Sequence, residues 1–504
     1  MTPLFSASAI KDGEKQAAKI AGISLFQLME RAGEAAFDCA QRHYPLYHHF
    51  LVVCGRGNNA GDGYVFAKCA LNANYHVTLI QVDSERPLRG DAAKAQCDYL
   101  ESGGTLLDAG DGHLGDGIDN GPYLIIDALL GTGLNLAPSP VFEALISDMN
   151  RTDAPTLSID IPSGLNADTG HIVGACVVAN VTITFVADKT GLHTGSARDV
   201  CGIIEMDTLG VEKEFSDCTQ SVARLYQDSD IAKMLPNRLS TAHKGDAGKV
   251  LVCGGNEGMG GALMLAGKAA HRTGAGMVAC LTHPQHINAV LSFHPECMVS
   301  GWEGDKSHVE SRLNWCDVIA IGPGLGQNDW WSRTLFSLVL KQLNHTFSDK
   351  FLVIDADALH FLIDSPKPNP NQVITPHPGE AAALLNCSIK EIERDRLSAA
   401  RALHKKYGGV VLLKGAGTVV FDGRHMSIID IGHQGMATAG MGDVLTGVIA
   451  SFIAQGLSPS DATVVGALIH GYAADLSSKN GIKIGLLASD LLTPIAKIVS
   501  QAAD

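Results

Sequence analysis

Short apolar runs rich in β-branched residues, most closing on Gly, Asp or Pro and separated by helix-length stretches, constrain this chain more than any other feature. HFLVVCG (49–55), HVTLIQVD (76–83), YLIIDAL (123–129), PTLSIDIP (155–162) and VTITFVA (181–187) form a first series. KVLVCGG (249–255), MVACLTH (277–283), DVIAIGPG (317–324), FLVIDAD (351–357), QVITPHP (372–378) and VVLLKGAG (410–417) form a second. A strand with one wet face alternates polar and apolar residues. Continuous apolar strands between helices therefore imply parallel sheets covered on both faces. The polar residues gather at the strand C-terminal ends, the edge where open α/β sheets bind ligands. A helix over 24–42 precedes the first series, with Leu25, Leu28, Met29, Ala32, Ala36 and Cys39 on one side. The alternation lapses in the charged stretch 211–233, which we read as the junction between two α/β domains, 1–215 and 225–504.

Bulk properties exclude several classes. A chain of 504 residues has ample core for each domain. The formal charge of −15, with no long basic run, excludes a nucleic-acid surface but not small anionic ligands, which need only a local basic patch. Twelve cysteines without a CxxC pair fit a reducing compartment better than a disulfide framework. No apolar segment is long enough to span a bilayer, and Lys11 and Asp12 come too early for a signal-peptide core. A soluble cytoplasmic protein is expected.

In GRGNNAGDGYVFAK (55–68), Gly55, Gly57 and Ala60 match GxGxxA between a strand and a helix, with Asp83 about 20 residues on, the spacing of an ordinary dinucleotide fold. Three features depart from it. Asn58 and Asn59 offer polar side chains to a ligand, and Asp62, read as first-turn, would compete with an anion for the helix amides. The later strand ends also supply Asp127, GTGLNLA (131–137), Asp160 and Ser163. Asp62 also fits a helix-end charge, and Asp127 and Asp160 loop caps. Asn59, Asp127 and Ser163 form an oxygen set with one net charge, suited to a weakly held monovalent cation rather than to zinc.

The second half repeats the oddity. KGAGT (414–418) follows a strand and lets backbone amides approach a phosphate. GMGDVLTG (440–447) presents helix N-terminal amides with Asp443 in the first turn. TPHPGEAAALL (375–385) places His377 at a strand end, and Lys244 adds a cation; there is no GxxxxGK[ST]. A carboxylate beside phosphate-binding amides makes sense if the phosphate is being transferred. The amides stabilise the moving phosphoryl group, and Asp443 takes the proton of the acceptor hydroxyl. The plainer alternatives are a capping role for Asp443 and a structural one for His377.

NNAGDGY, DALLGTGL and SIDIPSGLNADTG resemble the N-terminal domain of the bifunctional NAD(P)H-hydrate repair enzymes, the YjeF family, over most of residues 10–210. The resemblance implies a Rossmann-like three-layer α/β/α domain that interconverts R- and S-NAD(P)HX. It places substrate on Asn58, Asn59, Ala60, Gly61, Asp62, Gly131, Thr132, Gly133, Leu134, Asn135, Leu136, Ala137 and Asp160, and K+ on Asn59, Asp127 and Ser163. Asp160 is the acid/base candidate. The family's usual NNGGDG reads NNAGDG here, so Ala60 adds a methyl to the loop.

Residues 225–500 resemble the family's ribokinase-like dehydratase domain through RLSTAHKGDAGKVLVCGG, GPGLG, DADAL, TPHPGE, KGAGT and GMATAGMGDVLTG. That resemblance assigns the hydrate to Ala262, Gly326, His377 and Asp443, and the adenine nucleotide to Lys414, Gly415, Ala416, Gly417, Thr418 and Gly442. Met441 stands where many relatives have Ser or Thr. The implied activity restores NAD(P)H from S-NAD(P)HX, with ADP as bacterial donor, Mg2+ as cofactor and a tetramer or larger assembly. The rival readings are a ribokinase-like small-molecule kinase, an RNA-associated scaffold and a plain dehydrogenase.

Overall fold

The computed structural model describes residues 1–110, 114, 123–134, 136–327, 329–364, 366–479, 481 and 483–501. It divides into two compact units, Pro3–Ala223 and Arg224–Asp504, the latter taking in Met1–Thr2.

In the first unit seven parallel strands run in the hydrogen-bonded order Leu106–Asp108, His76–Gln81, His49–Cys54, Leu124–Ala128, Thr156–Ile159, Val181–Phe185 and Ile203–Asp207. Both faces are covered. Phe50, Val52 and Ile126 pack with residues of helices Leu25–His43, Asn58–Asn72 and Gly90–Glu101. Leu51, Val53 and Ile125 pack with Leu145, Ile146 and Met149 of helix Pro140–Arg151. Alternate residues of one strand thus serve opposite cores, which is why these runs carry no polar alternation. Three strands stop short of their apolar runs. The backbone turns left-handed at Asp83 (φ 55°), Asp160 (φ 68°) and Val186 (φ 66°), which ends each ladder and redirects the chain. Strand order reverses between His49–Cys54 and Leu124–Ala128, so the loops after Cys54 and Ala128 diverge there and leave a crevice.

The second unit is built on the sheet order Ala223–Tyr226, Met426–Ile429, Thr418–Phe421, Val410–Leu413, Gln372–Ile374, Phe351–Ile354, Val318–Ile321, Lys249–Cys253, Met277–Thr282 and Met298–Gly301. From Val410–Leu413 to Met298–Gly301 every pairing is parallel, whereas Thr418–Phe421 is antiparallel to both its neighbours. Val250, Val252, Val318 and Val353 form a core with helices Gly260–Arg272, Met441–Ala454 and Pro459–Lys479. The order reverses at Lys249–Cys253, flanked by Met277–Thr282 and Val318–Ile321. The polar stretch 211–233 is itself structured, with helix Glu212–Cys218 and strand Ala223–Tyr226. No described helix is long and apolar enough to cross a membrane.

Candidate active sites

In the first unit the loops that leave the reversal point carry a buried polar cluster. Asp127, at the end of its strand, is wholly buried and accepts from Ser158 Oγ (2.8 Å), Ser163 N (2.8 Å), Ser163 Oγ (2.5 Å) and Leu129 N (3.2 Å). Burial pushes the Asp127 carboxyl up, and these donors pull it back. Asn59, 7% exposed, donates through Nδ2 to Leu130 O (3.1 Å), to which Ser163 Oγ also lies close (3.2 Å). Asn59 Oδ1 is buried with no partner. An acceptor left this way costs about 1–3 kcal/mol unless a cation or donor meets it. Asn59, Asp127 and Ser163 are therefore brought together, and Gly131 packs on Asn59, where an added Cβ would lie 3.2 Å from that residue's Cβ.

Asp160 heads a second cluster. Its left-handed turn brings the carboxylate to Lys189 Nζ at 2.7 Å, and Thr184 Oγ1 lies between them, 3.4 Å from Asp160 and hydrogen-bonded to Lys189. Lys189 is 1% exposed, against 19% for the Asp160 side chain, so the acid faces outward over a buried cation. Two further acids feel this pair. Burial pushes the Asp62 carboxyl well above the ordinary range, with Asp160 and Glu14 adding to the rise. Burial and then Asp160 push Glu14 up to about 7.

Asp62 is not in the first turn of its helix. The helix begins at Asn58, and no acid lies in its first turn, because Gly57, Asn58 and Asn59 already form the turn that a strand-to-helix loop would have occupied. Ala60 adds no methyl to a loop, being wholly buried in the helix-side core. Asp83, where a dinucleotide fold holds its ribose acid, is paired with Arg56 at 3.1 Å. Asn58, Gly133, Leu136 and Ala137 are exposed, Gly61 is buried, and Thr132 and Leu134 are half-buried. Leu134 O accepts from Asn166 Nδ2 (3.3 Å). Asn135 lies outside the described residues.

In the second unit, Gly440 (φ 89°) is the N-cap of helix Met441–Ala454 and makes no side-chain capping bond. A left-handed cap suits glycine, and it leaves Asp443 in the first turn with no capping task. Beneath this turn lies Asp355, 1% exposed, which accepts from Lys414 Nζ and from Thr446 Oγ1 (2.7 Å). A Cβ on Gly442 would lie 3.0 Å from Lys414 Nζ and 3.3 Å from Asp355 Oδ2, so the turn rests directly on this ion pair. Burial and then the Asp355 charge push the Asp443 carboxyl up to about 7, with Lys414 opposing. Lys414, half-buried, is held above the usual lysine range by Asp355 and Glu380 despite its partial desolvation. The same pairing holds Asp355 below the usual carboxylate range despite its own burial.

The loop after Leu413 is pinned from below. Arg396, 1% exposed, donates to Leu413 O (3.2 Å), Lys414 O (2.9 Å) and Glu393 Oε1 (2.7 Å). Its planar donor fork fixes carbonyl directions, and thereby the outward faces of Gly415 and Ala416, both exposed. Thr418 Oγ1 closes the loop onto Gly415 O (3.1 Å). In the loop after strand Val318–Ile321, Gly326 (φ 79°) gives its amide to Asp357 Oδ2 (2.8 Å). Ala262 lies on helix Gly260–Arg272, where a Cβ on Gly324 would meet its methyl at 3.2 Å. His377 is the N-cap of helix Pro378–Leu385, its Nδ1 accepting from Gly379 N (3.0 Å) and Glu380 N (3.3 Å). Sequence reasoning missed Lys189, Glu14, Thr446, Arg396 and the pairing of Asp355 with Lys414. Lys244 is exposed.

The two units define the class: a Rossmann-like α/β domain followed by a ribokinase-like one, each with its polar groups at strand carboxyl ends. The profile described as NAD(P)H-hydrate dehydratase matches residues 250–497, and that described as YjeF-related protein N-terminus matches 25–191. The bifunctional NAD(P)H-hydrate repair enzyme Nnr of Escherichia coli K12 is 45% identical over 99% of this chain and 94% of its own. The Vibrio cholerae protein of that name is 42% identical over 99% and 98%. A crystal structure of the ADP/ATP-dependent NAD(P)H-hydrate dehydratase from Bacillus subtilis, co-crystallised with ATP/Mg2+, aligns at TM-score 0.50 and 26% identity over 56% of this chain and 99% of that one. The chain belongs to the bifunctional NAD(P)H-hydrate repair enzymes.

Proposed function

We propose that this protein repairs hydrated nicotinamide cofactors, epimerising R- and S-NAD(P)HX in its first unit and dehydrating S-NAD(P)HX in its second. The observation that carries the reading is Asp443: an acid at a helix N-terminus, seated on Lys414 and Asp355 and pushed up to about 7. A base of that strength accepts a hydroxyl proton as a phosphoryl group arrives. ADP is the donor. Its terminal phosphoryl passes to the C6 hydroxyl of the hydrate while Asp443 takes the hydroxyl proton, leaving AMP. The ring-nitrogen electron pair then expels phosphate from C6, and loss of a C5 proton restores the dihydronicotinamide. Lys414 and the amides at Gly415 to Thr418 and Gly442 hold the donor; Ala262, Gly326 and the exposed face of His377 line the hydrate's side.

Three carboxylates, Asp355, Glu380 and Asp443, act on the half-buried Lys414, a set that suits a hard dication with the nucleotide. Glu380, whose Oε2 accepts from His377 N (2.7 Å), would meet Mg2+ through its other oxygen, since Asp355 is committed to Lys414 and Thr446 and Asp443 to the acceptor. Mg2+ supplies charge neutralisation during transfer.

In the first unit Asp160 moves the protons needed for the C6 hydroxyl to leave and return on the other face, with Lys189 holding the carboxylate and Asp62 keeping its proton to higher pH as the acid. Asn59 Oδ1, Asp127 and Ser163 Oγ hold K+, a fit supported by the orphaned Asn59 oxygen and supplying charge balance near the substrate. The protein works in the cytoplasm as a homo-oligomer. Asp160→Asn should abolish epimerisation and spare dehydration of the S form, while Asp443→Asn should do the reverse; either variant retaining both activities would overturn the assignment.

A further inference from the structure

Helix Leu25–His43 and strand Ile203–Asp207 carry a polar cluster that neither candidate site uses. Cys39 and His43 are one helical turn apart and share a face, and Glu205 faces them from the strand. Their donor atoms all lie within 4.8 Å of one another. Cys39 is fully buried, and His43 and Glu205 are 23% and 31% exposed, so the set has a closed floor and an open mouth.

We propose that Cys39, His43 and Glu205 bind one divalent transition-metal ion of the zinc type, with solvent in the fourth position. A thiolate, an imidazole and a carboxylate are the borderline-soft mixture that zinc selects and that magnesium and calcium do not. The thiolate and carboxylate together neutralise the dication. The C-terminal end of the helix also favours a cation through its unpaired carbonyls.

The surrounding groups fit as well. His43 Nε2 and Glu205 Oε1 are 2.6 Å apart, a hydrogen bond, whereas ligands on a tetrahedral ion at about 2.0–2.3 Å sit roughly 3.3–3.7 Å from each other. Binding therefore widens that 2.6 Å pair by about 0.7 Å, within side-chain reach, and releases the Cys39 thiol proton to solvent. Arg42 stays on the other oxygen, Oε2, at 2.6 Å and fixes the carboxylate plane, as outer partners of ligating carboxylates do. The ion would tie the helix to the strand at the sheet edge.

The probe is Co2+ added to the full-length protein after chelator treatment and reduction. One equivalent per chain should give a sulfur-to-cobalt charge-transfer band and the intense visible bands of a four-coordinate ion, both bleached by Zn2+. Cys39→Ser should remove the charge-transfer band and His43→Ala should abolish tight binding. Glu205→Gln, at a partly exposed position, should weaken binding and keep the sulfur band. Melting without metal shows that each variant folds, and Zn2+ should raise the melting temperature of the parent but not of Cys39→Ser. No sulfur band in the parent, or an unchanged band in folded Cys39→Ser, overturns the proposal.

Discussion

Replacing Asp355 by Asn removes one buried negative charge and leaves Lys414 in place. In the role proposed for it, Asp443, pushed up to about 7 by burial and then by Asp355, is a base only when ionised, so dehydratase kcat/KM should rise with pH through that value. Burial survives the substitution, and only the Asp355 contribution is lost. A unit charge acting over roughly 7 Å at an effective dielectric near 20 contributes about 2.4 kcal/mol, an upper figure of about 1.7 pH units. Lys414 stays in place and drops out of the difference, and solvent at the half-buried Asp443 reduces the shift to about one unit. The acidic limb should therefore move from about pH 7 toward pH 6, and kcat/KM should fall less at pH 6 than at pH 8. Thr446→Val is the control, since it takes a hydrogen bond from Asp355 without changing charge. The assay is the return of dihydronicotinamide absorbance from purified S-NADHX at saturating ADP across the pH range. An unmoved midpoint in Asp355→Asn, or an equal shift in Thr446→Val, refutes the coupling of Asp355 to Asp443 as the proposed base.

Three further outcomes follow from the same geometry. Asp443→Asn should stabilise the protein increasingly with pH: the folded pKa of about 7 lies above the ordinary carboxyl value of 3.8, so ionisation costs stability between those values. The melting gain should be small at pH 4 and level off above pH 7 at about 1–3 kcal/mol, the discounted form of the roughly 4 kcal/mol a shift of that size implies; a gain independent of pH contradicts it. Lys189→Met should lower epimerisation about a hundredfold by releasing Asp160 and leave dehydration of the S form unchanged, measured on the separated epimers. Asn59→Ala should weaken the dependence of epimerisation on K+, read as a higher K+ concentration for half-maximal rate; an unchanged K+ requirement places the ion elsewhere.

Much of the architecture was legible because buried strands advertise themselves. Leu51 and Val52 face opposite cores and both must be apolar, so the run declares a covered sheet. Strands Leu106–Asp108, Ile203–Asp207 and Met298–Gly301 escaped notice for the opposite reason. They end their parallel series, and Leu107, Ile203 and Met298 are 46%, 57% and 38% exposed, so no continuous apolar run marks them. Hairpin strands Thr418–Phe421 and Met426–Ile429 were hidden because the glycine loop before them reads as ligand-binding and ends at the first residue of the next strand. Glycine loops and strand-end acids were visible as types and spacings. Their partners were not. Lys189 lies 29 positions from Asp160, Lys414 lies 59 from Asp355, and Arg396 acts on backbone carbonyls, a role that leaves no pattern in the residues it serves. The helix start at Asn58 was misjudged because Gly57 supplies a cap without a capping side chain.

The central claim is that one chain both interconverts the epimers and returns them to the reduced cofactor at the expense of a nucleoside diphosphate. Incubating the racemic hydrate of NADH with ADP, Mg2+ and K+ while recording dihydronicotinamide absorbance and AMP tests it directly. The account predicts complete recovery of absorbance with one AMP formed per cofactor restored, and recovery of only the S half when Asp160→Asn is used. Accumulation of a stable phosphorylated product without recovered absorbance would contradict it.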